Sequence, residues 1–332
     1  MENDTNITCV DYCGYDDERW YKEILQFVFP KPQEWFIIVL FIIVFILGIV
    51  GNFLVCYAVW KNSHLRTVTN YFLVNLSTAD LMVILLCLPP TLIHDALESW
   101  FLGLAMCKIV AYFQNVSVLV SVLTLTAIAI ERYTAICHPL SHKISRKKTV
   151  LIIIFIWIVS LSSAVPEILF VTIVLDPVIP PHIPLLRSCR SYVEREQFIY
   201  QMVLVCVFFV TPLYLMGFAY LRIALCLWKS TKNGVVTTGG SSNRAAAMQC
   251  KTRKKTAKML IVVVIVFFIC YLPVHLLNIL RYVKVIDKSM DYIMKTLALL
   301  SHWLCYFNSS INPIIYNFMS GKYICSVRIF LY

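Results

Sequence analysis

The sequence predicts an all-α membrane protein, a bundle of seven transmembrane helices with the N-terminus outside and the C-terminus in the cytoplasm. Three observations predict it. The 332 residues are 60% hydrophobic and only 14% charged, against about 45–50% apolar and about 25% charged in soluble domains. The apolar residues gather in seven stretches, each near the roughly 20 residues needed to cross a bilayer. The basic residues fall mainly on one side of those stretches. This composition excludes disordered chains, collagen-like fibres and most soluble enzymes. The weakly alternating segments of a membrane β-barrel are absent.

The spans follow in order. Trp35 to Trp60 and Ile109 to Ile130 carry no charge, and Phe198 to Leu221 carries none either. Asn70 to Ile93 holds only Asp80, and Thr149 to Leu175 only Glu167. Met259 to Leu280 has His275 as its one titratable group, and Thr296 to Met319 has His302. Prolines and glycines inside several spans are tolerated, because neighbouring helices and waters satisfy the freed backbone groups. Residues 1–34 are expected to form an outer tail, 35–320 the membrane domain and 321–332 a short inner tail. An amphipathic helix is expected over Asp16 to Val28, where Trp20, Ile24, Phe27 and Val28 share one face.

Charge sets the orientation. With the N-terminus outside, the inner segments hold 18 of the 29 Lys and Arg residues and a single acid, Glu131. The positive-inside bias favours this arrangement. The net charge of +11 is therefore mostly a topological signal. It does not describe a nucleic-acid-binding face, because the bases flank membrane helices. The polar, acidic first 34 residues lack the apolar core of a cleavable signal peptide. Asn3 and Asn6 open glycosylation sequons in the outer tail. The inner connection from Leu227 to about Thr256 is the longest, with a Gly/Ser/Thr-rich middle expected to be flexible. The outer segment from Asp176 to Gln197 starts with four prolines.

Of the 13 cysteines, Cys107 and Cys189 both face the oxidising side and make a candidate disulfide that would pin the outer loop over the bundle. Cys9 and Cys13 could also pair.

Ionisable groups within spans are expensive and mark function by default. Asp80 is the clearest, with Asn52, Ser121, Asn308, Ser309 and Asn312 at similar depth. One carboxylate among neutral oxygen and amide groups suits either a hydrated Na⁺ or a polar packing node. No other cofactor or metal is expected. Glu131-Arg132-Tyr133 ends the third span at the inner boundary. The permanently charged Arg132 must pair or stay at the interface; Glu131 can hold it, and displacing Glu131 would free it. Asn312-Pro313-Ile314-Ile315-Tyr316 and Cys270-Tyr271-Leu272-Pro273 place proline kinks in the seventh and sixth spans. Such kinks make bistable elements. Glu167, just after Pro166, needs a partner; His275, His302, Arg187, Arg190 and a basic ligand group are candidates, with a snorkelling carboxylate as the alternative. Neither histidine is expected to have a nearby acid except Glu167, at the outer end, so a catalytic cluster is not expected and the chain is not read as an enzyme. Internal repeats and paired broken helices, which mark transporters, are absent, as is the charged ring of a channel.

These pieces together resemble the rhodopsin-like G-protein-coupled receptors. The resemblance has an anchor in every span: Gly51-Asn52; Leu76-Ser77-Thr78-Ala79-Asp80; Cys107 with Glu131-Arg132-Tyr133; Trp157; Pro212 with Tyr220; Cys270 to Pro273; and Asn312 to Tyr316. Within that family, Ala58 to Asn62, Arg66 to Phe72, Ala135 to Leu140 and Ser301 to Leu304 resemble orexin receptors and the related allatotropin receptors. That resemblance implies a plasma-membrane receptor for an amidated neuropeptide, signalling through a heterotrimeric G protein of the Gq class, with arrestin and a receptor kinase as further partners. It maps pocket positions onto Thr91, Gln114, Asn278 and His302, joined by Glu167 and His275. It implies a coupling face built from Arg132, Tyr220 and Tyr316. Gln114 stands where amine receptors carry a carboxylate, and the seventh span has no Lys for a retinal Schiff base. A neutral polar pocket suits a peptide carboxamide. The sequence departs from the group at Glu131, Tyr133, Glu167 and His275, and after Lys322, where the usual amphipathic eighth helix is replaced.

Overall fold

The computed structural model describes residues 18, 22, 30, 32–138, 144–175, 187–234, 241–283 and 291–320, with side chains at 18, 22, 30, 35–138, 144–175, 187–228, 254–281, 283 and 296–316. Asn3, Asn6, Cys9, Cys13 and residues 321–332 lie outside them. Of the expected helix over 16–28 only Glu18 and Lys22 are described. Both are helical and are joined by a 2.9 Å ion pair four residues apart.

The first span, α1 (Pro32–Lys61), begins just after Pro30 and turns Phe36, Phe53 and Trp60 outward while burying Phe41, Val44 and Val55. It runs close to its neighbours at two glycines. A Cβ on Gly48 would lie 2.3 Å from Cδ1 of Ile84, and one on Gly51 3.0 Å from Cβ of Pro313. Arg66, beyond its C-terminus, donates to the Trp60 carbonyl at 2.5 Å, a favourable place for a cation.

The second span is two helices, α2 (Val68–Leu86) and α3 (Leu88–Leu97). Thr67 caps α2 by accepting from the Asn70 N–H at 3.4 Å. Pro89 and Pro90 sit in the first turn of α3, where missing N–H groups cost least. Glu98 then ends α3 in the left-handed region, with φ of 45°. The third span, α4 (Gly103–Cys137), has 35 residues, about 52 Å at 1.5 Å per residue. It is the central post, packing on α2, on α5 (Arg146–Ser163) and on the fifth span. Ser145 caps α5, and α6 (Val165–Phe170) continues the fourth span after Ala164, with Pro166 in its first turn.

An antiparallel hairpin follows, β1 (Val171–Val174) and β2 (Ser188–Ser191), with Ile173 opposite Cys189. It was not expected from the proline-rich stretch. Its strands flank the prolines, which lie in residues 176–186 outside the described part. The fifth span is α7 (Glu194–Val205), a π-helical turn (Cys206–Val210) and α8 (Thr211–Gly234). Pro212 lacks an N–H, and the Thr211 hydroxyl donates to the Cys206 carbonyl at 2.9 Å. The sixth span, α9 (Ser241–Tyr282), contains Pro273, and the seventh helix, α10 (Asp291–Ser320), contains Pro313. α8 and α9 reach further inward than the hydropathy predicts, so the long inner connection narrows to residues 235–240.

Among the described residues six helices are long and apolar enough to cross a membrane: Trp35–Lys61, Val68–Leu97, Gly103–Cys137, Arg146–Phe170, Glu194–Trp228 and Lys254–Arg281. α10 is more polar because Ser301, Asn308, Ser309, Ser310 and Asn312 are buried in it, on the side packed against α1, α2 and α9. Polar groups point in and large apolar ones point out, the inverse of a soluble domain. The exposed Leu151, Phe155, Tyr214 and Leu221 fit a hydrocarbon solvent. Leu76, Leu125, Ile128, Phe267 and Tyr316 form the inner half of the core, and Phe41, Ile84, Trp100 and Tyr306 the outer half. Between them Trp157 donates to Asn75 at 2.8 Å, and Asn75 donates to Thr124 at 2.8 Å, tying α5, α2 and α4 together.

Candidate functional site

The expected residues fall into three tiers along the bundle. At the end of the bundle that carries the hairpin, Cys107 and Cys189 are joined in a disulfide with their Cα atoms 5.7 Å apart. It fastens β2 to the N-terminal end of α4. The Trp100 N–H also donates to the Arg187 carbonyl at 2.7 Å, so the hairpin closes on the α3–α4 corner too.

Beneath this cover, α3 and α10 are joined by two parallel rungs. The Tyr306 hydroxyl donates to Thr91 at 2.8 Å, and His302 Nδ1 lies 2.9 Å from the Asp95 carboxylate. Thr91 and Asp95 are four apart on one helix face, as are His302 and Tyr306, so each pair stacks. This corrects the expectation that His302 has no acid but Glu167. Asp95 lies just beyond the apolar span Asn70 to Ile93, and the packing of α3 on α10 brings it to the imidazole. The signal available in the sequence was the matching four-residue spacing.

Glu167 is buried, and among the described residues none of His275, His302, Arg187 and Arg190 is hydrogen-bonded to it. Gln197, at the start of the fifth span, donates to both carboxylate oxygens at 3.3 Å. The snorkelling alternative fails as well, since only 7% of the residue is exposed. The reason is local: Pro166 opens the separate helix α6, which turns Glu167 toward α7. Nearby, Tyr200 donates to the Ser163 carbonyl at 3.0 Å. His275 packs edge-on against Phe209 at 4.8 Å, beside Phe268. Gln114 and Asn278 are half-buried and make no hydrogen bond to protein among the described residues. Their amides are available to a ligand.

In the middle tier Asp80 is fully buried and accepts from Asn312 at 3.0 Å, with Ser309 as a second donor. Asn52 donates to the Ser309 carbonyl at 2.8 Å and to the Gly48 carbonyl at 3.0 Å. Ser121 is buried at the same level. Among the described residues several buried oxygens here have no protein partner: Asp80 Oδ1, Asn52 Oδ1, Asn308 Oδ1, Asn312 Oδ1 and Ser77 Oγ. Unpaired buried oxygens are costly. A single carboxylate amid neutral oxygens fits a monovalent cation or water. Among the described residues no group of three His, Cys, Asp or Glu could hold a transition metal.

At the inner tier Arg132 is held by Glu131 through Nε at 2.5 Å and Nη2 at 2.6 Å. Nη2 also donates to the Thr69 hydroxyl, and that hydroxyl donates to Glu131 at 3.4 Å. Thr69 was missed by sequence reading; nothing in a lone Thr at the start of a span marks it. Tyr220 is buried close to Arg132, its hydroxyl without a partner among the described residues. Tyr271 stacks at a tilt on Phe267, 4.6 Å apart, and Pro273 follows it two residues along α9. Tyr316 and Pro313 are buried in the core of α10.

Sequence comparison places the chain among known proteins. A family model described as 7 transmembrane receptor (rhodopsin family) matches residues 51–316. The chain is 32% identical to a RYamide receptor from Drosophila melanogaster over 96% of its own length and 66% of the relative's. It is 33% identical to a QRFP-like peptide receptor from Branchiostoma floridae over 86% of its own length and 74% of the relative's. The chain thus spans just under two thirds of the first of these. The orexin and allatotropin likeness is a finer matter than these matches address. A multi-pass helical bundle, with polar groups inside and an Arg held at one end, belongs to a family of receptors rather than of enzymes: the chain is a member of the rhodopsin family of seven-transmembrane receptors.

Proposed function

We propose that the chain is a plasma-membrane receptor that binds an extracellular peptide, an amidated neuropeptide, and activates a heterotrimeric G protein of the Gq class to raise cytosolic calcium. The observation that carries the reading is the Arg132 latch. A permanently charged guanidinium is held by Glu131 and Thr69 at the end carrying most of the basic residues. A ligand that favours the state in which the latch is open shifts the population toward it. The freed Arg132 then meets a G protein between Tyr220 and Tyr316, flanked by Arg253, Lys254 and Lys255. Arrestin and a receptor kinase would use the same face.

The peptide would enter on the opposite side, with the N-terminal tail and its glycans at Asn3 and Asn6 outside. Gln114 and Asn278 offer neutral donors and acceptors to a carboxamide. The Thr91–Tyr306 and Asp95–His302 rungs form one wall and Glu167–Gln197 the other. Peptides of the RYamide, QRFP, orexin and allatotropin types are the ligands to try. Asp80, with the unpaired oxygens of Asn52, Asn308 and Asn312, would hold Na⁺ in the closed state.

The test is a calcium assay in transfected cells against a panel of amidated peptides of those four types. At least one should give a saturable response, abolished by Arg132→Ala at equal surface expression. A full response from that variant would refute the assignment.

A further inference from the structure

The inner ends of the third and fifth spans carry two cysteines that face each other across the helix contact. Cys137 is the last residue of α4, and Cys226 lies in α8. Their thiols lie close enough to interact with one another. Each thiol also reaches the backbone of the opposite helix. Cys137 Sγ lies 3.7 Å from the Arg222 carbonyl, one turn before Cys226, and Cys226 Sγ lies 3.9 Å from the Ile136 carbonyl. Both are half-buried, so small reagents reach them. Among the described residues no acid or histidine completes a metal site with them, and the neighbouring imidazole of His138 packs on Tyr133 at 5.3 Å.

We infer that Cys137 and Cys226 are a modification site: a dithiol that a hydroperoxide oxidises to a reversible disulfide linking the third span to the fifth. Disulfides on a reducing cytosolic face are characteristically transient and redox-sensing. The steps balance without further reagents. One thiol gives up its proton as its sulfur attacks hydrogen peroxide; an S–O bond forms, the O–O bond breaks, and the hydroxide that leaves takes that proton to become water. The second thiol then attacks the sulfenic sulfur; the S–S bond forms, the S–O bond breaks, and hydroxide leaves with the thiol's proton as a second water. Both thiols are oxidised and the peroxide is reduced to two waters. The linkage ties α8 to α4 five residues from Arg132, beside the coupling face, and so restrains that face from opening. The inner location rests on the orientation proposed above.

Membranes bearing the full chain are treated with hydrogen peroxide, blocked with maleimide and digested without reduction. The expected result is a Cys137–Cys226 linked peptide, loss of two maleimide-reactive thiols, and an unchanged Cys107–Cys189 peptide. Thioredoxin should restore both thiols. In Cys226→Ser, Cys137 should instead accumulate as a sulfenic acid trapped by dimedone. Recovery of both cysteines as free thiols overturns the inference, and so does Cys137 joined to glutathione with Cys226 free. A membrane-impermeant maleimide separates the two claims. Labelling of these cysteines only in opened cells supports the inner placement. Labelling in intact cells overturns that placement and the cytosolic role, while the linked peptide still decides the dithiol.

Discussion

Thr69→Val removes one hydroxyl from the Arg132 latch and keeps the shape of the side chain nearly unchanged. That hydroxyl accepts from Arg132 and donates to Glu131, so its loss takes away two of the four hydrogen bonds among these three residues. The bond from Arg132 is charge-assisted, worth about 1.5–3 kcal/mol in a well-made case. The one to Glu131 is long at 3.4 Å and adds little. Glu131 keeps both of its contacts to Arg132, and the Arg132 side chain is 22% exposed, so water replaces part of what is lost. About 1–2 kcal/mol of bias toward the closed state should therefore disappear, a rise in the open fraction of roughly 5–30-fold while that fraction stays small. The assay is agonist-independent nucleotide exchange on purified G protein, in membranes matched for receptor number. Glu131→Gln is the companion variant and should raise basal exchange further, since it takes the charge from the pair. An unchanged basal rate for Thr69→Val beside an elevated one for Glu131→Gln would show that Thr69 is only a spacer. Unchanged rates for both would refute the latch itself.

Gln197→Ala should leave the Glu167 carboxylate buried without its donor, at a cost of about 1–3 kcal/mol. A lower melting temperature in detergent would register it, and Glu167→Gln, which removes the charge, should not show that loss. Glu167→Gln is also expected to weaken agonist potency by about tenfold in the calcium assay if the ligand brings a positive or donor-rich segment; equal potency would make Glu167 a packing residue. Gly51→Val should force α1 and α10 apart, because even a Cβ lies 3.0 Å from Pro313, and overpacking of this kind costs about 1–3 kcal/mol. Thermal denaturation of the purified receptor checks it. Asn312→Ala should remove the donor to Asp80 and abolish any thermal stabilisation by Na⁺ over K⁺; persistence of that stabilisation would place the ion elsewhere.

The linear sequence by itself determined the fold class, the seven apolar spans and the residues that are expensive to bury. These are properties of composition and of runs along one chain, and the bilayer enforces them whatever the neighbours are. Asp80, Glu131, Arg132, Glu167 and His302 could be singled out because a charge or imidazole in a hydrocarbon span stands out alone. Tertiary structure alone decided which groups meet. Asp95 reaches His302 across 207 positions of chain, and Gln197 reaches Glu167 across 30. Thr69 joins Arg132 from 63 residues away, and the two inner cysteines meet across the contact of the third and fifth spans. Even the hairpin over the mouth depends on cross-strand pairing, which the prolines between its strands concealed. In a bundle, partner choice follows from helix rotation and tilt. Those are set by packing at points such as Gly48 against Ile84 and Gly51 against Pro313, and no periodicity within one helix contains the rotation of the next.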